Sequence, residues 1–157
     1  MRQLFLFFAI LTSLAACTAT IEQGEAIPSA PASMTTQTTC QPSPILKSKN
    51  DFLEIQGSMK SDGEMWALLF FETARTNEDQ KIVWRITGEG DQFHAQAQSE
   101  DGILLTPIWA EYHGGSNWQR PGQEWGTGFN FPEPGCWKIT VTRGETTGEI
   151  ALEVLGP

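Results

Sequence analysis

Positive charge is what this chain has least of: 10 Lys and Arg stand against 19 Asp and Glu, a formal net charge of −9. A nucleic-acid partner needs a basic stripe to neutralise phosphates, and the sequence has none, so no nucleic acid is expected. An anionic membrane surface should likewise repel the acidic portion. Histidine is limited to His94 and His113, and no two cysteines stand in CxxC spacing; neither a metal site nor a cofactor is expected. No window sustains the periodicity of a capped helix. A Gly-x-Ser-x-Gly elbow is also missing, which leaves His113-Gly114-Gly115 without the nucleophile that an esterase oxyanion loop would serve.

What is present begins with a short apolar run. Arg2 supplies a positive start, Leu4 to Leu14 an apolar stretch, and Ala15 and Ala16 two small residues before Cys17. The box Leu14-Ala15-Ala16-Cys17 resembles a bacterial lipoprotein signal. The resemblance implies a signal peptide over 1–16, cleavage before Cys17, and lipid on that sulfur that makes the membrane a partner and the cell envelope the address, on its extracytoplasmic side. An uncleaved anchor fits less well, because Leu4 to Ala16 falls short of the roughly 20 residues that span a bilayer. One acyl chain anchors only marginally, whereas two or three hold stably. Losing Arg2 with the signal leaves 10 − 1 = 9 cations against 19 acids, a net of −10.

From Thr18 to Thr39 the chain is Thr, Ala, Ser, Pro and Gln with few large apolar side chains, too little to offset the entropy of ordering. Residues 17–39 are therefore expected to form a flexible tether, with a root-mean-square span of roughly 25 Å. Residues 40–157 form one domain that holds all six tryptophans. Lipid on Cys17 leaves an even pair, Cys40 and Cys136, which outside the cytoplasm is expected to oxidise. Two unrelated thiols are the alternative.

Past Asn50 the pattern is one of short strands between turn signals. Phe52–Ile55, Met65–Glu72, Lys81–Thr87, Phe93–Ser99 and Ile103–Trp109 read as strands, with Glu89-Gly90-Asp91 and Glu100-Asp101-Gly102 as punctuation. Ile82, Trp84 and Ile86 alternate with Val83, Arg85 and Thr87. Trp137, Ile139 and Val141 alternate with Lys138, Thr140 and Thr142, and after Arg143-Gly144-Glu145 the alternation resumes at Ile150, Leu152 and Val154: a terminal antiparallel hairpin. Seven or so strands in roughly 118 residues predict an all-β fold, an immunoglobulin-like antiparallel β-sandwich. A closed barrel is the other all-β solution.

The segment Phe131-Pro132-Glu133-Pro134-Gly135-Cys136-Trp137 resembles the start of the penultimate strand in a group of uncharacterised bacterial lipoproteins with an Ig-like domain. Gly115-Ser116-Asn117-Trp118, Arg120-Pro121-Gly122 and Glu124-Trp125-Gly126 are similar to the loop before that strand. The resemblance implies a fold and an address; it implies no activity and supplies no catalytic residues.

Between Tyr112 and Gly128 the strand pattern lapses, and glycines gather with Tyr112, His113, Asn117, Trp118, Arg120, Glu124 and Trp125. Long loops on a rigid sandwich are where binding resides. Flat indoles beside polar groups suit stacking on a sugar ring or capture of a peptide, so the expected function is a non-catalytic binding module for an envelope glycan or protein. The alternative is purely structural: Trp118 and Trp125 plug the end of the sandwich and Arg120 pairs with Glu124. A glycan hydrolase is the remote alternative, with Glu111 and Glu124 as its carboxylate pair. Solvent exposure of the two indoles separates binding from structure.

Overall fold

The computed structural model describes residues 40–157. The expected signal peptide, the lipidated Cys17 and the tether to residue 39 lie outside the described residues. The domain is an all-β sandwich. Sheet A runs in the order β1 (Leu46–Lys47), β2 (Leu53–Gln56), β4 (Met65–Leu69), β6 (Asp79–Ile86), β10 (Gln123–Asn130) and β9 (Trp109–Tyr112). Sheet B runs β3 (Ser58–Met59), β12 (Thr146–Leu155), β11 (Gly135–Arg143), β7 (Phe93–Ser99) and β8 (Leu104–Leu105). A further strand, β5 (Ala74–Arg75), pairs in parallel with β12, and the other pairings are antiparallel.

The core forms where the alternating residues of the two sheets meet. Sheet A contributes Ile55, Met65, Ala67, Leu69, Ile82, Trp84, Ile86, Trp125 and Phe129; sheet B contributes Ala95, Ala97, Trp137, Ile139, Val141, Ile150, Leu152 and Val154. The terminal hairpin read from the sequence is present, with Trp137 opposite Leu152 and Ile139 opposite Ile150. Trp84 brings a polar N–H into this apolar layer, and Thr127 satisfies it: its Oγ1 accepts from Trp84 Nε1 at 2.8 Å and donates to the Ile82 carbonyl at 3.2 Å. An indole N–H left unpaired at that depth would cost about 1–3 kcal/mol.

Two departures from the sequence reading matter for the site. Residues 123–130, expected to be largely irregular, form β10, a central strand of sheet A between β6 and β9. Its glycines are there because the ring of Trp109 lies flat against them. A Cβ at Gly128 would sit 2.2 Å from Trp109 Nε1, and one at Gly126 would sit 3.0 Å from the same ring. The expected strand Ile103–Trp109 is instead split into β8 and β9, which belong to different sheets. In the β7–β8 register, Ala97 opposes Leu105. The next residue pair that would exchange hydrogen bonds sets Ala95 against Pro107, which has no N–H to give. The ladder ends there, and the chain crosses to sheet A.

The expected disulfide is present. Cys40 is bonded to Cys136 on β11, with a Cα–Cα distance of 5.2 Å across 96 residues of sequence. Beside it, Ser43 N–H donates to the Ala151 carbonyl at 2.9 Å and Ser43 Oγ accepts from Ala151 N–H at 2.9 Å. The start of the domain is thus held along β11 and β12 twice over, covalently and by hydrogen bonds.

Candidate functional site

Sheet A buries its second face as well. Trp66 and Leu68 of β4 and Val83 of β6 pack there with Trp118 and the partly buried Phe52 in a small separate cluster. The cover is residues 113–122, which fold back over the sheet. Register brings polar residues of three strands under that cover: Glu54 opposes Leu68, Trp66 opposes Arg85, and Arg85 opposes Glu124.

Two carboxylates anchor the loop. Glu54 is 2% exposed; its Oε1 accepts from Trp118 Nε1 at 2.8 Å, and its Oε2 accepts from Arg120 Nε at 3.0 Å and from the terminal Nη2 of the same guanidinium. The Arg120 guanidinium also lies 3.6 Å from the centre of the Trp66 ring, a cation–π contact. Glu124, 3% exposed, takes Arg85 Nε at 2.9 Å and Ser116 Oγ at 2.6 Å on Oε2, and His113 Nδ1 at 2.7 Å on Oε1. Arg85 extends the clamp by donating to the Arg120 carbonyl at 3.0 Å. Ser116 Oγ in turn accepts the Trp118 N–H at 3.2 Å. Buried charges persist only when paired and hydrogen-bonded, and here every carboxylate oxygen has a partner.

The sequence-expected residues are therefore divided. Tyr112, His113 and Asn117 are exposed, and Tyr112 is edge-on to Trp125 at 5.6 Å. Trp118 and Trp125 are buried, at 2% and 4% exposure. The stacking platform expected of them does not form: Trp118 seals the outer face of sheet A, and Trp125, on β10, lies between the sheets stacked on Phe93 at 4.9 Å. Of the two placements left open by the sequence, the interior one is what the packing shows. Arg120 pairs with Glu54 and not with Glu124, because β6 carries Arg85 directly opposite Glu124 and the loop delivers Arg120 two strands further on. Glu111 opposes Gly126 on β9 and is exposed, whereas the oxygens of Glu124 are already engaged.

Glu54, Arg85, Ser116 and Trp66 were not singled out in the sequence. The legible signal was the unbroken apolar run Met65–Leu69. A strand without alternation is buried on both faces, so something must cover the second one.

Beside Glu54 the loop leaves a depression of about 440 Å³, lined among others by Lys47, Lys49, Asn50, Trp118, Gln119 and Arg120. Of its three cations, Arg120 is paired with Glu54 and Lys47 with Asp51, which leaves Lys49 without an ion-pair partner among the described residues. Glu54→Gln is expected to cost about 2 kcal/mol by removing the charge that holds both Arg120 and the Trp118 indole, measured by urea unfolding with an unchanged m-value. An unchanged midpoint would mean that Arg120 and Trp118 hold the loop without it. No family model, curated protein or solved structure matches the chain.

Proposed function

We propose that the protein is a lipid-anchored, extracytoplasmic binding module without catalytic activity, resembling uncharacterised Ig-like bacterial lipoproteins, and that it takes an envelope glycan or peptide in the depression beside Glu54. The observation that carries this reading is the depression itself: a polar hollow with Lys49 at its rim, held in shape by a charge network with no unpaired carboxylate oxygen. Preorganised loops bind without a further ordering cost. Lys49 and Gln119 stand exposed at the rim, with the hydrogen-bonding groups that hydroxyl-rich or anionic ligands need. Titration with cell-wall glycan fragments and envelope peptides tests the reading. Binding should perturb residues 47–50 and 119–120, and Lys49→Ala should weaken it by about 1 kcal/mol, the range of a single exposed charged contact. Silence across the screen favours the second reading, a purely structural envelope protein, which draws support from the burial of both indoles.

Anchoring has its own test. Cys17→Ser should abolish lipid labelling and release the protein from the membrane fraction, or block its processing. A variant that labels and fractionates like the wild type would remove the anchor from the proposal while leaving the depression in it.

A further inference from the structure

Among the described residues, β9 is the longest of the edge strands. β1, β3, β5 and β8 are edge strands of two residues each, too short to template another chain, whereas β9 has four, Trp109–Tyr112. His113 N–H donates to the Glu124 carbonyl at 2.8 Å, and Trp109 and Glu111 oppose Gly128 and Gly126. By the alternation of an antiparallel ladder, Trp109 and Glu111 bond toward β10, while the N–H and C=O groups of Ala110 and Tyr112 point away from the sheet. No strand of the described residues lies on that side.

Apolar exposure gathers along the same edge. Ile108 (56% exposed), just before the strand, and Tyr112 (62%), its last residue, are large hydrophobics left in solvent. The exposure of Ile108 and Tyr112 follows from Pro107, which ends β8 and leaves sheet B too narrow here to cover the inner side of β9. Glu111, on the strand's other face, is exposed and has no ion-pair partner among the described residues.

We infer that β9 is a docking edge for an extended cationic peptide segment of a partner protein, which adds to sheet A as a further strand. Main-chain groups of Ala110 and Tyr112 would supply its hydrogen bonds, Ile108 and Tyr112 a seat for its apolar side chains, and Glu111 a partner for a lysine or arginine. Charge selects this occupant over a second copy of the chain. Two-fold antiparallel pairing of β9 with itself would bring Glu111 near its own duplicate, and like charges on paired strands repel, as would two chains of net charge −9. The edge lies apart from the residues that line the depression beside Glu54, so the two proposals stand or fall separately.

The test uses the full chain and two synthetic eight-residue peptides, one alternating valine with lysine and the other valine with glutamate. The lysine peptide should bind about tenfold more tightly and slow amide exchange over residues 108–112. Glu111→Lys should reverse the preference. Ala110→Pro, which removes an outward N–H that no ladder bond uses, should abolish binding of both peptides while the thermal midpoint stays close to wild type. If that variant fails to fold, the reversal at Glu111 decides alone. Equal affinity for the two peptides, no binding of either, or protection confined to 47–52 and 113–122 would overturn the proposal; the last would leave the depression standing as a binding site. Concentration-dependent protection of 108–112 in the chain alone would assign the edge to a second copy and overturn it too.

Discussion

Reducing the Cys40–Cys136 bond is expected to lower the stability of the domain by about 4.7 kcal/mol. The bond spans 96 residues. In the chain-entropy model a cross-link closing roughly 100 residues removes about that much free energy's worth of freedom from the unfolded chain. The folded state should change little, because the Ser43–Ala151 hydrogen bonds hold the same segment against β12 without the cross-link. Intact-mass analysis should find no alkylatable thiol at Cys40 or Cys136 before reduction. Denaturant unfolding of the oxidised protein and of the reduced, alkylated protein then measures the difference. Coincident midpoints would show that the reduced chain stays as restricted as the cross-linked one.

Truncation of either buried indole comes next. Trp118→Ala and Trp125→Ala should each cost about 3–5 kcal/mol, the range for deleting a large buried aromatic and leaving a cavity behind. The two losses have different physical sources. Trp125 sits between the sheets, stacked on Phe93 with the Arg143 guanidinium 5.3 Å from its ring, and its removal opens a void at one end of the core. Trp118 lies on the outer face of sheet A, and its removal uncovers Trp66, Leu68 and Val83 and takes a donor from the buried Glu54. The loop should loosen in Trp118→Ala and stay closed in Trp125→Ala, a difference that amide exchange over 113–122 reads directly. A loss under about 1 kcal/mol at Trp118, the range of ordinary surface substitutions, would mean that the loop does not cover the sheet in solution.

Much of sheet B was legible in the sequence. β7, β11 and the end of β12 each have one face in the core and one in water, so their side chains alternate in polarity and period two announces them. β4 and β10 of sheet A are buried on both faces. β4 could still be read as a strand from its run of large apolar residues. β10 could not, because Gly126 and Gly128 read as loop until the Trp109 ring that requires them is in place. The same limit applied to the site. The loop itself stood out by composition, yet which carboxylate met which guanidinium depended on the register of β2, β6 and β10, separated by up to 70 residues of chain.

The sequence by itself determined the all-β class and the terminal hairpin, because local alternation needs no knowledge of distant residues; the pairing of Cys40 with Cys136 stood there as an expectation beside two unrelated thiols. Only the tertiary structure decided that Trp118 and Trp125 face inward, that Arg120 reaches Glu54, and that β9 is left with an open edge. Each of those outcomes depends on which strands become neighbours. Strand neighbours are chosen by burial summed over the whole domain, a quantity that no local window of the sequence contains.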